Sequence, residues 1–165
     1  MIDLKSLRTY QLKHKEIRNI CKLKNLHWKS SMLSQLNYFR SNIKTKDIHN
    51  LLFLNKKIIG YTALRKKQFI INKKKKNYLL FDTLILEKKH RGKKLSSLMM
   101  FFNNYIIKKN DNISFLLCNK NLIKFYKNFG WKIFSKKNDK FKTHSKTKTI
   151  MVFNNKKKEK HLNFE

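Results

Sequence analysis

Residues 77–86, NYLLFDTLIL, form an almost unbroken apolar run with a single aspartate inside it. A strand that meets solvent on one face alternates polar with apolar residues. A continuous run of this length instead describes a strand covered on both faces, the habit of parallel sheets. Residues 94–109 follow, with Leu95, Leu98, Met99, Phe102 and Ile106 on one helical face, and 113–117 (ISFLL) read as a second short buried strand. Strand, helix and strand over 77–117 make a βαβ crossover, which is right-handed with its two strands parallel.

The flanking sequence fills in around that unit. Ile17, Ile20, Cys21 and Leu23 predict a helix over 14–26, and Met32, Leu36, Phe39 and Ile43 predict another, with Ser30 or Ser31 as N-cap. Apolar runs at 50–54 and 57–65, joined by Asn55-Lys56, read as a hairpin. Leu122, Phe125, Tyr126 and Phe129 mark a helix over 119–129, and 132–134 and 149–153 read as closing strands. Segments 73–76, 135–148 and 154–165 are polar and charge-rich, hence loops and a frayed tail. No internal repeat is visible. The expected fold class is α/β (α+β mixed): a twisted mixed sheet of six to seven strands with helices on both faces, its opening and closing strands antiparallel. One domain is expected over 1–153, followed by a basic tail.

The chain has 165 residues, enough for one core without metal or disulfide staples. No apolar run approaches the roughly 18 residues needed to span a bilayer. The opening residues lack the apolar stretch of a signal peptide. Cys21 and Cys118 are the only cysteines, with no CxxC or Cys/His ligand spacing. A reduced, cytoplasmic, metal-free protein without a membrane partner is expected. Its oligomeric state, monomer or homodimer, is left open.

Charge is the outlying feature: 41 basic against nine acidic residues, net +32. Clustered lysines bind nucleic acid by neutralising phosphates and releasing counterions. Here the basic residues are spread along the whole chain, Pro is absent and Gly occurs three times. That pattern fits a compositional bias toward residues with AT-rich codons, which is the preferred reading; nucleic acid stays as the rival partner. In either case the field draws anions and repels cations.

The crossover turns at residues 87–96, Glu-Lys-Lys-His-Arg-Gly-Lys-Lys-Leu-Ser. A buried strand ends, a basic loop containing Gly92 follows, and a helix begins. The first turn of a helix offers unpaired N–H groups and about half a positive charge, which suits a pyrophosphate. Gly92 allows close backbone approach. Lys89, Arg91, Lys93 and Lys94 add positive charge, and Ser96 a hydroxyl donor.

This loop resembles the Arg/Gln-x-x-Gly-x-Gly/Ala motif of the GNAT superfamily of acyl-CoA N-acyltransferases. Arg91 and Gly92 match; Lys94 stands where the motif has its first Gly, and Ser96 where it has Gly or Ala. Residues 58–64 (IIGYTAL) resemble the family's third strand, with Gly60 in the usual place. Asn119-x-x-Leu122-x-x-Phe125-Tyr126-x-x-x-Gly130-Trp131 resembles the signature Asn-x-x-Ala-x-x-Leu-Tyr-x-x-x-Gly-Phe. The resemblance covers about residues 45–135.

It implies an N-acetyltransferase in which an amine attacks the thioester of acetyl-CoA directly in a ternary complex. The fourth and fifth strands splay, and the pantetheine pairs with Leu86-Glu87. The backbone N–H of Leu86 polarises the carbonyl; Tyr126 is the general acid for the departing thiolate. Asn119 touches the pantetheine while capping its helix, and residues 91–96 (Arg91, Gly92, Lys93, Lys94, Leu95, Ser96) cradle the pyrophosphate. Asp82, an acid inside an apolar strand, is the first candidate for handling the amine or its proton, and Glu87 the second; the alternative for Asp82 is a structural ion pair. Cys118 reads as a core cysteine because no activating base is nearby in sequence. His27-Trp28 falls between the first two helices, which shape the acceptor site in this family. The field of the chain favours a small neutral or anionic acceptor, such as an amino sugar or amino acid, or a protein amine. The rival is a non-catalytic module of the same fold that binds nucleic acid or another polyanion.

Overall fold

The structure, a computed structural model, describes residues 1–71, 74–134, 148–155 and 163–164. Its strands are β1 (Ile2–Arg8), β2 (Ile48–Leu54), β3 (Lys57–Ile71), β4 (Lys74–Leu86), β5 (Ser114–Asn119), β6 (Lys132–Ile133), β7 (Lys148–Phe153) and β8 (Asn163–Phe164). They hydrogen-bond in the order β1-β2-β3-β4-β5-β7-β6, with β8 beside β3. Helices are α1 (His14–Asn25), α2 (Met32–Asn42), α3 (Leu95–Lys109) and α4 (Ile123–Lys127). The mixed α/β sheet expected from the sequence is present, and β4 pairs with β5 in parallel. Two compact units divide the chain: Met1–Arg65 with Asp82–Asn103, and Lys66–Phe81 with Asn104–Glu165.

In the first unit, Ser31 caps α2 as expected, its hydroxyl accepting from the Ser34 N–H at 3.0 Å. Asn55 and Lys56 join β2 to β3 with φ of 47° and 65°. Two consecutive positive φ values are the requirement of a type I′ hairpin turn. Ile20, Cys21 and Leu23 of α1 and Phe39 of α2 bury Leu51, Ile58, Tyr61, Ala63 and Ile85. Met99 of α3 packs with Leu52, Ile59 and Leu86 instead. Leu51 and Leu52 are neighbours on one strand, so they point to opposite faces; α1 and α2 therefore cover one face and α3 the other. Gly60 makes the α3 side tight. A β-carbon there would lie 2.5 Å from Met99 Sδ and 3.2 Å from Leu52 Cβ.

Two polar clusters are buried in this unit. His49 is fully buried, with its ring nitrogens 2.9 Å from the Tyr61 and Thr9 hydroxyls and its ring stacked with Phe39 and Tyr61. On the α3 side, Asn50 donates to the Thr62 hydroxyl at 3.1 Å and to Asn103 Oδ1 at 3.0 Å, and the Thr62 hydroxyl donates to the same oxygen at 3.0 Å.

The second unit is built around β5, which pairs antiparallel with β7, while β7 pairs antiparallel with β6. Phe69, Tyr78 and Phe115 form its aromatic core, with Phe134 edge-on to Phe115. Helix α4 closes on Gly130 at φ 80°. Gly130 donates to the Lys127 carbonyl and Trp131 to that of Tyr126. This pair of bonds is a Schellman motif, and it accounts for the Tyr126-x-x-x-Gly130-Trp131 spacing: the glycine takes the left-handed position, and Trp131 packs back toward Tyr126. Trp131 Nε1 donates to Asn104 Oδ1 at 3.0 Å, and Asn104 returns a bond to the Phe129 carbonyl.

Several boundaries differ from the sequence expectation. β4 begins at Lys74, so lysines read as loop belong to a strand whose far end carries the apolar run. The helix expected over 119–129 is a short 3-10 turn, Lys120–Leu122, leading into α4 (Ile123–Lys127). Of the expected loop at 135–148, only Lys148 is described, as the start of β7; of the expected tail at 154–165, Asn163 and Phe164 pair with Ile70 and Phe69. The remaining loop and tail expectations beyond Asn155 and over 135–147 lie outside the described residues. Among the described residues, no helix is long and apolar enough to cross a membrane.

Two stability predictions follow from the first unit. Ala at position 60 forces Met99 and Leu52 apart, so Gly60→Ala lowers unfolding free energy by about 1–3 kcal/mol in urea titrations. Burial, with the Lys24 ammonium second, pushes the His49 imidazole from 6.5 down to about 4. The unfolded chain then binds the extra proton first. The stability that neutral His49 preserves is complete above pH ~6.5 and declines by on the order of 3 kcal/mol as pH falls toward ~4. The urea midpoint should drop more steeply over that window in the native chain than in His49→Gln.

Candidate active site

β4 carries the site residues of the first unit. The Glu87 N–H donates to the Ile59 carbonyl of β3 at 2.8 Å. N–H groups alternate edges along a strand, so the Leu86 N–H faces the edge of β4 away from β3. The parallel ladder of β4 with β5 covers Leu79, Leu80 and Phe81 opposite Ser114, Phe115 and Leu116 and ends there. The backbone from Asp82 to Leu86 therefore runs past the last β5 pair.

The chain after Leu86 makes a 3-10 turn, Lys88–His90, and then turns through Gly92 at φ 77° and Lys94 at φ 57°. The first hydrogen bond of α3 is donated by Leu98 to the Lys94 carbonyl at 3.1 Å. Among the described residues, none of the N–H groups of Gly92, Lys93, Lys94, Leu95, Ser96 and Ser97 donates to a protein acceptor. A β-carbon on Gly92 would meet nothing within 4 Å, so the turn is open on that side. Six consecutive free amides at a helix start, with the Lys93 and Lys94 side chains exposed beside them, fit an anion with several oxygens. Lys94, a non-glycine residue, takes the left-handed conformation in this turn.

Arg91 behaves differently from the charge that the sequence suggests beside a phosphate. Its guanidinium folds back, Nε reaching toward the Leu86 carbonyl at 3.4 Å and Nη2 lying 3.1–3.2 Å from the His27 ring nitrogens. His27 and Trp28, in the α1–α2 connection, are thereby tied to the loop. The Glu87 carboxylate lies 3.1 Å from the Lys57 ammonium and 3.9 Å from that of Lys89, with His90 Nε2 at 3.5 Å.

Asp82 does not lie buried in an apolar strand as the sequence implied. Its side chain is 30% exposed and sits 3.7 Å from Nη1 of Arg65. Further along β4, Ile85 packs on the α1–α2 face while Leu84 and Leu86 pack on the α3 face.

Tyr126 and Asn119 belong to the second unit. The Tyr126 ring is held edge-on by Phe81 and Phe125, and its hydroxyl has no protein partner among the described residues. Burial first, then the charge of Cys118, pushes its phenol up to about 12. Such a phenol stays protonated and serves as a donor. Asn119 precedes the 3-10 turn without a side-chain cap, so the expected capping role is absent and its amide is exposed. Cys118 is buried, its thiol donating toward Met151 Sδ at 3.7 Å and raised in pKa by burial, a core thiol rather than a nucleophile. Among the described residues, no group of three or more His, Cys, Asp or Glu is placed to hold a metal.

No family model matches the chain, and no curated protein matches it. Solved structures do. ElaA of Escherichia coli superposes with a TM-score of 0.69 at 15% identity, covering 92% of this chain and 99% of that one. This chain has the GNAT fold. An acyl-CoA N-acyltransferase of Pseudomonas aeruginosa gives a TM-score of 0.69 at 12% identity, over 92% of this chain and 99% of its own. The PaiA N-acetyltransferase of Thermoplasma acidophilum, solved in complex with coenzyme A, gives 0.59 at 16% identity, over 92% and 98%. Within this fold, residues that the sequence reading passed over are Arg65, 3.7 Å from Asp82, and Lys24, whose ammonium lies 4.7 Å from the centre of the Tyr38 ring. Lys24 was legible: it stands four residues after Ile20 and three after Cys21, on the apolar face of α1, where a lysine is out of place.

Lys94 supplies a test of the loop. A non-glycine residue in the left-handed region costs roughly 1–2 kcal/mol, partly offset by the greater freedom of glycine in the unfolded chain. Lys94→Gly should therefore stabilise the protein by up to about 1 kcal/mol in urea titrations, with an unchanged far-ultraviolet spectrum.

Proposed function

We propose that this protein is an N-acetyltransferase that moves an acetyl group from acetyl-CoA to a primary amine by direct attack. The observation that carries the proposal is the run of six unpaired amides, Gly92 to Ser97, at the start of α3. The fold and the coenzyme A complex of the PaiA N-acetyltransferase support it.

Acetyl-CoA supplies an acyl group already activated as a thioester. The amides from Gly92 to Leu95 and those of Ser96 and Ser97, with the Lys93 and Lys94 ammonium groups and the Ser96 hydroxyl, hold the pyrophosphate. Arg91 fixes the loop against the end of β4. The Leu86 N–H, free of β3, polarises the thioester carbonyl. The Asn119 amide binds the pantetheine arm. Tyr126, kept protonated by burial, donates to the departing thiolate. Asp82 takes the proton of the amine through water; Glu87, the second candidate for that task, is occupied by Lys57, Lys89 and His90 and keeps the loop in place. The acceptor is a small neutral or anionic amine, or a protein amine, because the +32 charge disfavours polycations.

Acetyl-CoA should raise the melting temperature in a saturable manner that survives added salt, and a panel of amines should release free thiol with at least one member. Absence of a coenzyme shift, together with salt-sensitive binding of nucleic acid, would replace this reading with the polyanion-binding module. Tyr126→Phe should keep the coenzyme shift and lower kcat at least tenfold; an unaltered kcat removes Tyr126 from the chemistry.

A further inference from the structure

β1 is the outer strand of the first unit, and β2 is its only strand neighbour among the described residues. The Asn55 N–H donates to the Met1 carbonyl at 3.0 Å, and the Thr9 N–H to the Asp47 carbonyl at 3.1 Å. Between those two bonds the register with β2 is unbroken, from Ile2 opposite Leu54 to Arg8 opposite Ile48. Backbone groups alternate edges along a strand, so the odd-numbered residues of β1 bond β2 and the even-numbered ones face outward. Ile2, Leu4 and Ser6 therefore offer their N–H and C=O groups at the open edge, with no protein partner among the described residues. Such an edge takes another strand unless a proline, a bulge or repelling charge blunts it. β1 has neither proline nor bulge. Arg8 is turned aside to the Lys46 carbonyl at 3.0 Å. The remaining charges, Asp3 and Lys5, are of opposite sign.

Those two charges select the occupant. They stand on one face of β1, 3.6 Å apart, with side chains 51% and 55% exposed. Consider a second β1, antiparallel and related by a two-fold axis, so that facing residues keep to one face of the sheet. Centred on Asp3 or on Lys5, the pair sets like charges against each other. Centred on Ile2 or Ser6, it leaves both charges without a counterpart. Centred on Leu4, it places each Asp3 opposite the partner's Lys5, in the closer, non-hydrogen-bonded kind of pair. The two Leu4 residues then exchange N–H···O bonds, Ile2 faces the partner's Ser6, and Met1 faces the partner's Leu7. Met1 and Ile2 are 95% and 50% exposed in the single chain, and this pairing covers them. A groove of about 700 Å³, with Met1, Asp3, Lys5 and Phe53 in its wall, leaves room on that face for the incoming side chains.

We infer that the outer edge of β1 is a docking surface for a second copy of this chain, joined antiparallel about Leu4 so that two sheets become one. Six main-chain hydrogen bonds and two reciprocal Asp3–Lys5 pairs hold it. The inference is independent of the transferase reading.

Sedimentation velocity of the native chain at about 0.15 M salt should show a concentration-dependent monomer–dimer equilibrium. Asp3→Lys and Lys5→Asp each set like charges opposite one another twice, so each should raise the dissociation constant tenfold or more. Net charge alone would make Lys5→Asp associate more tightly, which separates pairing from general repulsion. The two variants mixed one to one should regain native association, because one strand then carries only positive and the other only negative charge at these positions. Ser6→Pro removes an outward N–H while sparing the ladder to β2, and should give a folded monomer. Leu4→Cys should form a disulfide with itself, since facing hydrogen-bonded residues lie about 5.5 Å apart. Ile2→Cys and Ser6→Cys should link to each other and neither to itself. The native Cys21 and Cys118 are buried and do not compete. A native chain that stays monomeric up to about 1 mM overturns the inference. So does a dimer indifferent to the two charge reversals, or one that crosslinks in another register.

Discussion

The bare α-carbon of Gly60 decides where the loop can work. Met99 sits where a side chain at position 60 would be, so α3 lies close against β2 and β3. That helix begins at Leu95, after the loop that follows the end of β4. The Leu86 amide, the Gly92 turn and the free N–H groups before Leu98 thereby become parts of one short stretch of backbone. Side chains contribute charge to it, but its geometry belongs to the main chain, with Gly92 and Lys94 both in the left-handed region.

Much of this was legible in the sequence. The parallel pair and its helix followed from an apolar run too continuous for a half-exposed strand. The α2 cap, the Asn55-Lys56 turn and the position of α3 followed from local chemistry. What escaped has common physical causes. Asp82 escaped because its partial exposure and its contact with Arg65 on another strand have no local signature. Asn119 looked like a helix cap because hydrophobic spacing does not distinguish a 3-10 turn from the first turn of an α-helix. The fold-back of Arg91 onto His27, 64 residues away in sequence, is a tertiary contact with no local signature. Lys24 was visible as a lysine on an apolar face, but its seat over the Tyr38 ring of α2 was not.

With nine acidic residues against 41 basic ones, the placement of the carboxylates is informative. Glu16 accepts from the Lys13 N–H at the start of α1, and Asp47 from the Lys44 N–H in the turn before β2. Glu87 gathers Lys57, Lys89 and His90 at the root of the loop. These three acids fix backbone turns and loop ends. Asp82, the fourth, lies 3.7 Å from the Arg65 guanidinium on the neighbouring strand instead.

The Asn50–Thr62–Asn103 cluster has a role that stability alone does not describe. Asn50 Oδ1 and Asn103 Nδ2 stay without partners even in the native arrangement, so the triad is an inefficient source of binding energy. If α3 slid by one turn, about 5.4 Å, Asn103 would leave both partners behind and an apolar residue would face their amides and hydroxyl. The triad thus works as a locating pin. Greasy contacts would tolerate several seatings of the helix; three interlocked polar side chains admit one.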